Sequence, residues 1–127
     1  MSASRFLPLI AAILIAMPLR VLPEKPSLVT RALDALRSDP KATIRVDDGW
    51  TIVTTHVGAD IILWSFTPTS HPAYPAAVRR TVREENGAVH IDMEVLCEST
   101  QAHCDALALE FRQLNEDIGK SLGDNDN

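Results

Sequence analysis

The chain has 127 residues, a formal net charge of −5, 46 % hydrophobic residues and 5 % aromatic residues. That length holds one domain of ordinary size, not two. The acidic balance repels phosphate backbones, and so few aromatics offer no stacking platform for bases, so nucleic acid is excluded as an expected partner.

The chain begins with one charge, Arg5, followed by an uncharged apolar run, residues 6–17 (FLPLIAAILIAM). A short cationic start ahead of an apolar run has the form of an export signal. The run falls short of the ~20 residues that a membrane span needs, and Pro8, Pro18 and Arg20 interrupt any extension. Residues 1–22 are therefore expected to be a signal peptide, removed after export. The sequence around Ala16 and Pro18 lacks a clean small-x-small cleavage site, so an uncleaved N-terminal anchor is the alternative. A hydrophobic helix docked on the domain is a third reading. The leader holds Arg5 and Arg20 and no acid, so the chain without it is two charges more acidic than the whole. The expected location is periplasmic or secreted or, if the anchor is kept, tethered to the inner membrane.

Residues 23–26 form a linker, since Pro23 and Pro26 block regular hydrogen bonding. Ser27 suits an N-cap, and Val29, Ala32, Leu33 and Leu36 recur at helical spacing until Pro40. Strands come next, over residues 42–46 and 50–57, turning at Asp48-Gly49, a strong hairpin signal. Residues 61–66 (IILWSF) are apolar on both faces, as a central strand covered on both sides would be.

Residues 77–85 and 88–96 meet at Asn86-Gly87, whose two-residue turn sets the register. It places Arg83 opposite His90, Thr81 opposite Asp92 and Arg79 opposite Glu94, all on one polar face. Val82 with Ile91 and Val78 with Val95 fall on the other face. A slip of one residue would send four charges into the core, so the register is firm.

A helix over residues 100–118 carries Cys104, Leu107, Phe111, Leu114 and Ile118 as one apolar stripe, with Gly119 as its stop. Residues 120–127 form an acidic tail with little to bury, expected to be disordered. The fold expected over residues 27–119 is one small α+β domain. It has an N-terminal helix, a mostly antiparallel five-stranded sheet and a C-terminal helix packed on one face, and the N-terminal helix covers part of the other.

Cys97 shares the strand parity of Val95, and Cys104 lies on the apolar stripe of the next helix. In an exported protein these two should form a disulfide worth ~2–3 kcal/mol. Buried free thiols, or redox or metal chemistry with His103, are the other readings. His56, His71, His90 and His103 lack the spacing of a metal signature, so no metal or cofactor is expected. No nucleophile elbow or glycine-rich phosphate loop is present. Asp92 and Glu94 could mimic a catalytic carboxylate pair, but their arginine neighbours make a salt-bridge ladder the better reading.

Residues 67–75 (TPTSHPAYP) carry three prolines, His71 and Tyr74, and come directly after Trp64 and Phe66. The loop reads first as a crossover between the third and fourth strands, with Tyr74 lying on the core. Its second reading is a stiffened recognition element. The binding candidates are His71, Tyr74, Trp64, Arg79, Arg83, His90, Asp92 and Glu94. The expected function is an exported non-enzymatic binding domain for an unknown protein or small molecule, touching membrane only through an uncleaved leader. An anchored accessory subunit of an envelope complex is the alternative, and a small hydrolase or metal carrier the third.

Overall fold

The computed structural model describes residues 13–22 and 24–123. The expectations for residues 1–12, for Pro23 and for residues 124–127 lie outside that range. Residues 13–22 form no regular element and are exposed throughout, so this segment is not docked on the domain. No helix among the described residues is long and apolar enough to cross a membrane.

The fold is α+β, in the order α1 (Leu28–Arg37), β1 (Thr43–Asp47), β2 (Trp50–Val57), β3 (Asp60–Phe66), β4 (Ala76–Glu85), β5 (Ala88–Cys97), α2 (Gln101–Gly123). The five strands form one sheet in sequence order, and every neighbouring pair is antiparallel. Two-residue turns generate the outer hairpins. Asp48 and Gly49 adopt φ of 49° and 80°, and Asn86 and Gly87 adopt 53° and 76°. This doubly left-handed turn matches the twist of the flanking strands, and glycine enters it without steric cost. The register at β4–β5 is the expected one, with Arg79 opposite Glu94, Thr81 opposite Asp92 and Arg83 opposite His90.

Each helix takes one face of the sheet. On the first face, Val29 of α1 packs with Val53, Phe66 and Ala77, and Ala32, Leu33 and Leu36 lie alongside. The Ser27 hydroxyl accepts from the Thr30 N–H at 3.0 Å, and Glu98 accepts from the Val29 N–H at 3.0 Å. The second bond ties the positive end of α1 to the segment that leaves β5, and a carboxylate there also complements the helix dipole. On the other face, Leu107 and Phe111 of α2 pack with Ala73, Ala76 and Val78, flanked by Trp50, Met93, Val95 and Cys97. Full burial of side chains of this size stabilises by roughly 1.5–3 kcal/mol each.

Two expectations need correction. Gly119 does not stop α2, which continues to Gly123, so residues 120–123 are helical and not part of a tail. Gly119 has no left-handed φ, and Leu122 extends the spacing set by Ile118, so the helix passes through at the modest cost of an interior glycine. The proline loop is not a crossover, because β3 and β4 are antiparallel neighbours and the loop is a long hairpin connection between them.

Candidate functional site

The register sets the polar side chains of β4 and β5 on the α1 face, beside a helix of only ten residues. That helix covers the end of the sheet near Phe66, Ala77 and Leu96 and leaves the hairpin end open. The open part is a groove of about 320 Å³ lined by Arg79, Thr81, Arg83, Asp92, Met93 and Glu94. Its charges are matched across strands. Arg83 reaches Asp92 at 3.2 Å on one side and Asp60 of β3 at 3.5 Å on the other, and Arg79 reaches Glu94 at 3.8 Å. The buried Thr81 lies between the two arginines. His90 stands exposed opposite Arg83.

Trp64 sits on β3 directly opposite Arg79. The Arg79 guanidinium lies 5.9 Å from its ring centre, and its other neighbour is Phe66, stacked at 5.8 Å with an interplanar angle of 11°. Phe66 in turn lines a second groove, of about 240 Å³, between α1 and the proline loop. Val29, Leu33, Pro75 and Ala76 give this groove apolar walls, and Tyr74, 46 % exposed, stands among its lining residues. The aromatic pair Trp64–Phe66 thus runs from the charged groove to the apolar one.

Tyr74 is held by its loop, not by the core. Thr67 closes the neck of the loop, its hydroxyl accepting from the Ala76 N–H at 3.1 Å while its own N–H donates to the Ala76 carbonyl at 3.0 Å. Further along, Ser99 Oγ donates to the Pro72 carbonyl and the Glu98 N–H to the Pro75 carbonyl, each at 3.0 Å. Ala73 is fully buried, which anchors the centre of the loop. Tyr74 does not lie on the core as expected; it is half-exposed at the groove, with Phe66 among the residues that line it.

His71 belongs to the opposite face. Its Nδ1 accepts from the Ala73 N–H at 3.0 Å, its ring meets Trp50 edge-on at 5.2 Å, and its Nε2 lies 3.9 Å from Glu110 of α2. The structure therefore splits the expected pair: Tyr74 goes to the α1 side and His71 to the α2 side. Of the remaining candidates, it brings Trp64, Arg79, Arg83, His90, Asp92 and Glu94 together on one surface.

Cys97 and Cys104 form a disulfide with Cα atoms 5.7 Å apart, joining the end of β5 to the first turn of α2. Cys104 is thereby committed, and His103 instead lies 3.4 Å from the Ser99 hydroxyl. Among the described residues no cluster of three or more His, Cys, Asp or Glu side chains could hold a metal ion.

Sequence reasoning missed the α1 wall of the apolar groove, in which Thr30, Asp34 and Arg37 join Val29 and Leu33. Their spacing of four and three puts these polar residues on one flank of the helix, a readable signal. It also missed Arg80, which strand parity alone places between Val78 and Val82 on the apolar face. Comparison with known proteins yields no matching family model, no matching curated protein and no matching solved structure.

Proposed function

We propose that this chain is an exported binding domain that recognises its partner through the α1 face of the sheet, acting by recognition and not catalysis. The apolar leader supplies the export signal, and an oxidising compartment outside the cytoplasm, periplasmic or extracellular, is where a Cys97–Cys104 bond persists. The observation that carries the recognition reading is Tyr74. A clamped loop holds this aromatic half-exposed at an apolar groove, so most of its ordering entropy is already spent before binding. Next to it, the Arg79–Arg83–Asp92–Glu94 ladder offers alternating charges that fix orientation and reject mismatched surfaces.

The test is photocrosslinking in cells that export the full chain, with the reactive residue at position 74, at position 83, or at the exposed Arg112 on the outer side of α2. Discrete adducts from 74 and 83 and none from 112 support the reading; equal adducts from all three, or adducts from 112 alone, overturn it. The mass of the recovered chain separates a processed domain from one that keeps residues 1–22 as an anchor and serves a larger envelope complex.

A further inference from the structure

The apolar groove has two walls from different parts of the chain, Val29 and Leu33 of α1 and the Tyr74–Pro75 end of the proline loop. One residue bonds to both. The Glu98 carboxylate accepts from the Val29 N–H at 3.0 Å, and the Glu98 N–H donates to the Pro75 carbonyl at 3.0 Å. Ser99 adds a bond from its hydroxyl to the Pro72 carbonyl, also at 3.0 Å. Neither Glu98 nor Ser99 lies in a helix or strand. Both belong to the short connection between β5 and α2 that the Cys97–Cys104 disulfide closes. Cys97 Sγ itself lies 3.7 Å from the carbonyl oxygen of Ala73, the buried centre of the same loop.

A cross-link between cysteines seven residues apart removes conformations from the residues it encloses. It therefore limits where Glu98 can stand. The Val29 N–H is one of the first-turn donors that a helix cannot satisfy from within, and Glu98 is its acceptor. If Glu98 moves away, water takes over both of its bonds, and the two walls lose the one residue bonded to each of them.

We propose that Glu98 is the positioning residue of the apolar groove, held in place by the Cys97–Cys104 bond, so that the groove takes its binding shape only once the two cysteines are oxidised. This rests on the recognition reading above and adds its regulation: the reduced chain is folded but does not bind. Oxidation passes two electrons from the two thiols to a disulfide of the receiving compartment. That S–S bond breaks as Cys97–Cys104 forms, and the oxidant leaves as two thiols carrying the two protons.

The test reads the groove with and without the bond, at a temperature where every form is folded. Reducing the purified exported chain with a dithiol should shift the amide resonances of Val29 and Thr30 and leave those of Thr81 and Arg83, in the charged groove, in place. Glu98→Ala should give the same shifts with the disulfide intact. In cells, Glu98→Ala and the double variant Cys97→Ser with Cys104→Ser should each lower the adducts from position 74 at least fivefold. Glu98→Gln, which keeps an acceptor oxygen, should rescue both readouts. Val29 and Thr30 resonances unmoved by reduction, or full adducts from the folded double variant, overturn the proposal. An unaltered chain without adducts from 74 and 83 overturns the recognition reading instead, and the resonances still decide whether Glu98 and the disulfide set the groove.

Discussion

Arg79 and Arg80 are adjacent in sequence and live in different electrostatic worlds. Arg79 faces the short helix α1, meets Glu94 and lies over Trp64, and stays partly in water. Arg80 faces the long helix α2, is partly desolvated, and touches an aromatic ring instead of an acid. The difference arises from strand alternation and helix length. Ten residues of α1 leave half a sheet face open, and open surface tolerates charge. The 23 residues of α2 carry the Leu107–Phe111 core and the disulfide. On the proposed reading the α2 face serves chiefly stability, and the α1 face, beside its own core around Val29, Val53, Phe66 and Ala77, serves recognition. The proline loop straddles the boundary, sending His71 to the first and Tyr74 to the second.

That division can be broken deliberately. The largest effect is expected from Phe111→Ala, which removes a ring contacting Trp50 and Arg80 and should cost ~3–5 kcal/mol in denaturant unfolding. Leu114→Ala, three residues on and 42 % exposed, should cost well under half of that. Next comes the disulfide: Cys97→Ser with Cys104→Ser should lower stability by ~2–3 kcal/mol, matched by the effect of reductant on the unaltered chain. Non-reducing peptide mapping of exported protein should show this single linked pair. Two alkylatable thiols would undo both the bond and the compartment assigned to the chain. On the display face, Arg83→Ala should change stability by less than ~1 kcal/mol despite losing two ion pairs, because both are solvent-exposed. Gly119→Ala should stabilise by ~0.5–1 kcal/mol, since an added Cβ meets nothing within 4 Å and gains helix propensity.

Much of this architecture was legible because its signals are local. Asn86-Gly87 demands a two-residue left-handed turn, and that turn alone fixed which side chains of β4 and β5 share a face. The stripe from Cys104 to Phe111 and the parity of Cys97 brought the two sulfurs together without tertiary information. The proline loop was not legible, because three prolines erase periodicity and leave no parity to say which way His71 or Tyr74 points. Their directions are set by distant partners, Trp50 and Glu110 on one side and the flank of α1 on the other. The end of α2 was misjudged for a related reason: a glycine stops a helix only when the backbone turns left-handed there, and nothing at Gly119 makes it do so.

The division between a stabilising face and a displaying face is tested most directly by thermal unfolding of Tyr74→Ala beside His71→Ala. Tyr74 is half-exposed and held through its backbone, so its truncation should change stability by no more than ~0.5 kcal/mol while abolishing crosslinked adducts from position 83. His71 packs on Trp50 and bonds to the Ala73 N–H, so its loss should lower the Tm visibly more. A loss of ~3 kcal/mol or more in Tyr74→Ala, the cost of a buried aromatic, would contradict the account and return the ring to the core.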